Sequence, residues 1–180
     1  MADAHGPPPP ATQRLFLALW PDNATRNALE RAGEALHRHW GGRRMRADTL
    51  HLTLAFLGET PMQTCAVLLP HLAAVRAAPF ELRLDRAGCW PHNRIGWLGA
   101  AQTPAALVTL AAGLCGVLEA VSATFDRRPF VPHVTLLRQT AGGASPACAP
   151  VTWPVRDFSL VAAQPGARYT ILQRWPLRAA

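Results

Sequence analysis

Two short segments of the 180-residue chain carry one pattern of chemistry: His51-Leu52-Thr53-Leu54 and His133-Val134-Thr135-Leu136. In an extended strand successive side chains point to opposite faces, so His and Thr share one face and the apolar pair takes the other. At about 3.3 Å of rise per residue, imidazole and hydroxyl stand roughly 7 Å apart on that face. An imidazole titrates near neutral pH and can accept or release a proton. Two such strands facing one another would set two histidines across a cleft, one taking a proton while the other gives one. The threonine hydroxyls would donate hydrogen bonds to anionic oxygens, and Leu52, Leu54, Val134 and Leu136 would pack in the core behind them.

The remaining histidines, His5, His37, His39, His71 and His92, have no such partner and are read as structural or exposed. The two segments bring no adjacent Asp, Glu or Cys, which disfavours a metal site, and no cofactor is expected. Cys65, Cys89, Cys115 and Cys148 are scattered without metal-ligand or disulfide-framework spacing, which fits reduced thiols in a cytoplasm.

Bulk properties bound the setting. The chain suits one domain with a substantial core, and 49% of its residues are hydrophobic. It carries a formal charge of +7, and all 18 basic residues are Arg. Guanidinium groups suit bidentate phosphate contacts, so the excess favours an anionic partner, nucleic acid first. No signal-peptide pattern opens the chain, and no apolar stretch reaches a membrane span, so no membrane is expected as partner.

The elements that must position the two segments follow from pattern. Residues 1–13 hold Pro7–Pro10 and read as a flexible Pro-rich tail. Residues 14–180 read as one domain. Arg14–Trp20 fits a buried strand. Asp22 is a helix N-cap, and Leu29, Gly33, Leu36 and Trp40 then recur at helical spacing up to Gly41-Gly42. A first motif strand spans 50–57, stopping at Gly58. Thr60-Pro61 signals a helix over 62–76 that Pro70 kinks or shortens. Strand 80–85 has 94–99 as its antiparallel partner. Thr103-Pro104 opens a helix to Ala120, a second motif strand spans 130–138, a loop covers 141–150, and strands 156–163 and 168–175 end the chain. Three helices and about seven strands make an α+β domain with mainly antiparallel sheets.

Laid side by side, these segments resemble the 2H phosphoesterases, in particular the bacterial and archaeal 2′-5′ RNA ligase branch described as RNA 2′,3′-cyclic phosphodiesterases. The resemblance rests on Arg14-Leu15-Phe16, on Leu50–Gly58 around the first motif, on Arg128–Arg138 around the second, on Arg168-Tyr169, and on Trp175-Pro176-Leu177. The motifs lie 82 positions apart, from His51 to His133.

The resemblance implies a bilobal fold of two pseudo-symmetric lobes, two mainly antiparallel sheets flanking a central cleft with helices outside. It implies hydrolysis of a terminal RNA 2′,3′-cyclic phosphate to a 2′-phosphomonoester without a metal. In reverse, a 5′-hydroxyl would replace water and form a 2′-5′ linkage. His51 would be proton donor and His133 proton acceptor, and Thr53, Thr135 and Arg138 would bind the phosphate. Arg138 lies five residues past His133, an odd spacing that puts it on the wrong face of an ideal strand unless a bulge or strand end intervenes. Phe56 and Phe130 are candidate substrate contacts, and Arg43, Arg44 and Arg46 could guide an RNA backbone. The expected partner is RNA with a cyclic-phosphate end, tRNA fragments included, and the expected state is a monomer. The alternatives are a noncatalytic RNA-end or tRNA-binding protein, or an enzyme for small cyclic nucleotides or 2′-5′ oligonucleotides.

Overall fold

A computed structural model describes residues 11–166 and 168–179. Residues 1–10 of the expected tail lie outside them. Its last residues do not behave as tail, because Thr12 and Gln13 already belong to the first strand, β1 (Thr12–Leu19), paired with Pro61 and Thr60. Helix α1 (Asn23–Trp40) starts where the sequence predicts: the Asp22 side chain accepts a 2.7 Å hydrogen bond from the Thr25 amide. Such a cap contributes about 1 kcal/mol. Its buried stripe is Leu29, Leu36 and Trp40 with small residues between.

A two-residue strand, β2 (Arg43–Arg44), and a short turn of 3₁₀ helix (Ala47–Thr49) lead into β3 (Leu52–Pro61). This strand runs past its predicted stop, because Gly58 adopts a φ of +70° and lets the chain keep pairing with β1. Thr60 is therefore a buried strand residue, its hydroxyl donating to the Gly58 carbonyl, and Pro61 rather than Thr60 is the cap of α2 (Met62–Ala73). Pro70 stands in the last turn, and the helix stops three residues short of the predicted end.

Next come β4 (Phe80–Leu84), β5 (Arg86–Trp90) and β6 (Ile95–Gly99). The predicted pairing of 80–85 with 94–99 is incorrect. The partner of β6 is β5, folded back through a turn with Arg94 at positive φ, while β4 pairs with β8 (Val151–Val155). Helix α3 (Ala105–Ala120) ends as expected. Strand β7 is shorter than predicted, His133–Arg138, because the prolines at 129 and 132 leave 130–132 without a ladder. Strands β9 (Asp157–Gln164) and β10 (Arg168–Pro176) close the fold.

The strands form an antiparallel eight-stranded sheet, ordered β10-β9-β1-β3-β7-β6-β5 with β2 beside β7, and a two-stranded sheet of β4 and β8. The large sheet has two halves, which among the described residues pair with one another only where Leu52 meets Val134. Behind it, Leu15, Leu17, Leu19, Leu52, Val134 and Leu137 join Leu29, Leu68, Leu72, Leu110 and Leu114 of the helices in one core, all at most 1% exposed. Each fully buried leucine contributes about 1.5–3 kcal/mol. Among the described residues no helix is long and apolar enough to cross a membrane.

Glycines test this packing in two directions. Gly42 has a φ of +85°, and a Cβ there would sit 2.7 Å from the Arg138 carbonyl oxygen and 2.8 Å from Thr140 Cα. Gly113 lies in α3 with nothing within 4 Å of an added Cβ. Urea denaturation should therefore find Gly42→Ala less stable by at least ~1–3 kcal/mol, and Gly113→Ala more stable by about 0.5–1 kcal/mol.

Candidate active site

The pairing of Leu52 with Val134 sets the register of the two motifs. Both residues are fully buried on the helix side. Their neighbours His51, Thr53, His133 and Thr135 therefore project from the opposite face, and antiparallel order sets each histidine across from the other motif's threonine. Beyond that pair β3 and β7 no longer bond, and the gap between the halves is a cleft of about 560 Å³ lined by all four residues.

Beta bulges then resolve the odd spacing of Arg138. Along β7, Trp97 pairs with Thr135 but Gly96 pairs with Leu137, so Leu136 is an extra residue. Leu136 and Leu137 are consequently both buried, and Arg138 returns to the face of His133 and Thr135. Strand β3 repeats the device. Ala18 pairs with Thr53 and Leu17 with Ala55, which leaves Leu54 as the extra residue and returns Phe56 to the cleft. Each motif is thus His-x-Thr, one bulged residue, one buried residue, and then a side chain aimed at the site: Phe56 on one strand, Arg138 on the other.

Both imidazoles are anchored alike. The Nδ1 of His51 lies 2.7 Å from the Thr49 carbonyl oxygen, and the Nδ1 of His133 lies 2.7 Å from that of Val131. A carbonyl only accepts, so Nδ1 carries the hydrogen in both rings and Nε2 is left for proton exchange.

The surroundings of the two rings differ. Trp20 stacks on His51 at 5.3 Å and 4° between planes, Phe16 lies at 4.9 Å, and Tyr169 presents its edge at 5.2 Å. His133 has Trp90 edge-on at 4.5 Å. Loss of hydration pushes His51 down to about 4, aided by the positive charge of His133 and Arg138 and opposed by the Thr49 hydrogen bond. His133 is also lowered by burial, against its own bond to Val131. By itself the cleft thus favours neutral rings, and His51 more so.

Beyond the motifs, the cleft wall includes Arg14, Phe16 and Tyr169, residues of two segments on which the resemblance rests but to which local pattern gave no role. Phe16, Ala18 and Val161 form a second apolar cluster on the cleft face, with Trp20, Phe56 and Tyr169 against it. Arg14 lies over the Phe56 ring, 5.1 Å from its centroid, and Glu59 lines the same end. A strand read as buried on both faces concealed that Phe16 faces the cleft; no local signal marked Trp20 or Trp90. Phe130 does not line the cleft but packs against the main core. His37 and His39 stay on α1, His71 on α2 and His92 in the β5–β6 turn, all away from the cleft, while His5 lies outside the described residues.

Comparison with known proteins agrees with this arrangement. The model of the 2′-5′ RNA ligase superfamily matches residues 21–164. The chain is 39% identical to the RNA 2′,3′-cyclic phosphodiesterase of Escherichia coli, over 92% of this chain and 97% of that one. It is 35% identical to the protein of the same name from Thermus thermophilus, over 92% and 90%. The crystal structure of Escherichia coli LigT complexed with 3′-AMP superposes with a TM-score of 0.82 at 36% identity, covering 93% of this chain and 99% of that one. With His-x-Thr repeated on two facing strands and a match across most of its length, the chain belongs to the 2′-5′ RNA ligase superfamily.

Proposed function

We propose that the chain is an RNA 2′,3′-cyclic phosphodiesterase that opens a terminal cyclic phosphate to a 2′-phosphomonoester without a metal. The observation that carries this reading is the convergence of two Nδ1-anchored imidazoles, two threonines and Arg138 on one cleft. The relatives named above support it, since two bear that activity in their names.

The chemistry balances with these side chains alone. A water oxygen attacks phosphorus while His133 takes its proton, the bond from phosphorus to the 3′-oxygen breaks, and His51 protonates that oxygen. Thr53 and Thr135 donate to the non-bridging oxygens, and Arg138 offsets their charge. Phe56 can face the ribose or base. With a 5′-hydroxyl in place of water, the same steps would join RNA ends through a 2′-5′ linkage. The substrate would be RNA with a cyclic-phosphate end, tRNA fragments included, and the protein a cytoplasmic monomer of one two-lobed domain. Four free cysteines support the cytoplasm.

The deeper depression of His51 favours a second assignment of roles. His51 is pushed down to about 4, so a reversed pair, His133 as acid and His51 as base, would give the base role to the ring with the weaker hold on a proton. A cyclic substrate with sulfur at the 3′ leaving position separates the two, because a thiolate departs without an acid. On that substrate His51→Ala should recover activity if His51 is the donor; recovery by His133→Ala instead would establish the reversed pair.

In chelator, RNA with a cyclic-phosphate end should be opened by the native protein. His51→Ala and His133→Ala should each lose about 10²–10⁴ in kcat, and the double variant hardly more. Undiminished turnover in either single variant would refute the site.

Turnover needs one neutral and one charged ring. Above the upper pKa the acid is lost, and below about 4 the base is lost. Because both rings lie under the ordinary 6.5, kcat/KM should peak between about 4 and 6.5 and fall towards pH 8. A maximum at or above pH 7.5 would contradict this. The profile reports the pair rather than either ring.

A further inference from the structure

Three arginines precede the first motif, and the fold sends them to different places. Arg46 is held by the carboxylate of Asp48. Arg44 pairs with Leu137, a fully buried core residue, and lines a separate hollow with Leu29, Gly33 and Leu136. Arg43 pairs with Arg138.

Residues directly opposite in an antiparallel pair share a face of the sheet, their Cβ atoms about 5 Å apart. The bulge at Leu136 aims Arg138 into the cleft, so Arg43 lies on the cleft face too, on the edge of β7 that β3 also pairs with. Both side chains are exposed, and among the described residues neither is in a salt bridge with a carboxylate. Like charges placed directly opposite one another are destabilising, and an anion set between them removes the repulsion.

The opposite end of the cleft has other chemistry. Phe16, Phe56 and Tyr169 form an apolar wall there, and beside it Glu59 stands opposite Arg14 in the β1–β3 register. An aromatic wall suits the face of a base, which contributes roughly 1–3 kcal/mol by stacking. The cleft is therefore polarised: aromatic at the β1–β10 end, where Arg14 and Glu59 are opposed in register and opposite in charge, and cationic at the β2–β7 end.

We propose that Arg43, beside Arg138, binds the phosphodiester that joins the terminal nucleotide to the one before it. The RNA chain then arrives across β2 and β7, and the terminal base lies towards Phe56 and Tyr169. This deepens the reading of the cleft as a site for cyclic-phosphate RNA ends and rests on it. Arg43 is a substrate-positioning residue that contributes nothing to a substrate with one nucleotide.

The test compares a 2′,3′-cyclic mononucleotide with an oligoribonucleotide carrying the same end. Arg43→Ala should lower kcat/KM on the oligonucleotide about tenfold, the scale of one charge-assisted contact. It should leave the mononucleotide unchanged and reduce the salt dependence by about one phosphate contact. Arg44→Ala should behave as the native protein on both. Equal losses on both substrates, or none on the oligonucleotide, would overturn the proposal. Binding of an oligonucleotide ending in a 3′-phosphate, measured by fluorescence anisotropy, gives a readout independent of turnover. Arg43-dependent binding with no opening of any cyclic phosphate would overturn the phosphodiesterase reading and leave the RNA path standing.

Discussion

One backbone contact organises this molecule: the pair of Leu52 with Val134, where two half-sheets touch. Behind it the two side chains enter a core shared by all three helices, so register is set by burial. A slip of one residue would turn leucine and valine to water and both histidines into hydrocarbon. The constraint that builds the core thereby builds the cleft. Because the halves pair nowhere else among the described residues, the strands diverge at once and leave room for a phosphate and its flanking ribose.

The same logic explains a site that is symmetric in geometry and asymmetric in environment. Both rings donate from Nδ1 to the carbonyl two residues upstream, and both strands bulge immediately after the threonine. The partners then diverge. His51 sits among Trp20, Phe16 and Tyr169, while His133 meets Trp90. Removing water from one imidazole more than the other separates their affinities for a proton, which two-ring acid–base chemistry requires. An approaching phosphoryl anion would raise both pKa values, so substrate binding itself favours charging the pair.

Local physics made much of this legible in advance. Alternation placed His51, Thr53, His133 and Thr135 on one face, the Asp22 cap fixed the start of α1, and the run from 105 to 120 gave α3 its length. What escaped depends on distant partners. Strand β5 has no pattern of its own until Trp97 and its neighbours lie across it, and β4 finds its partner β8 only far along the chain. The bulges at Leu54 and Leu136 leave only a doubled apolar residue, which cannot be told from ordinary core sequence. They nonetheless decide that Phe56 and Arg138 reach the cleft. Phe130 stands outside the cleft lining, because adjacency to a motif in sequence does not select a face once prolines break the strand. The aromatic surroundings of His51 come from separate segments of the chain, and so could not be read from any one of them.

Under the proposed function both imidazoles grip a single phosphorus-bearing group. Following the two ring signals by NMR while a nucleoside 2′-phosphate is titrated in tests it directly. His51 and His133 should shift together at one ligand per chain, with one affinity and with both rings taking up protons more readily than in the free protein. Response from one ring alone, or two separate affinities, would contradict it.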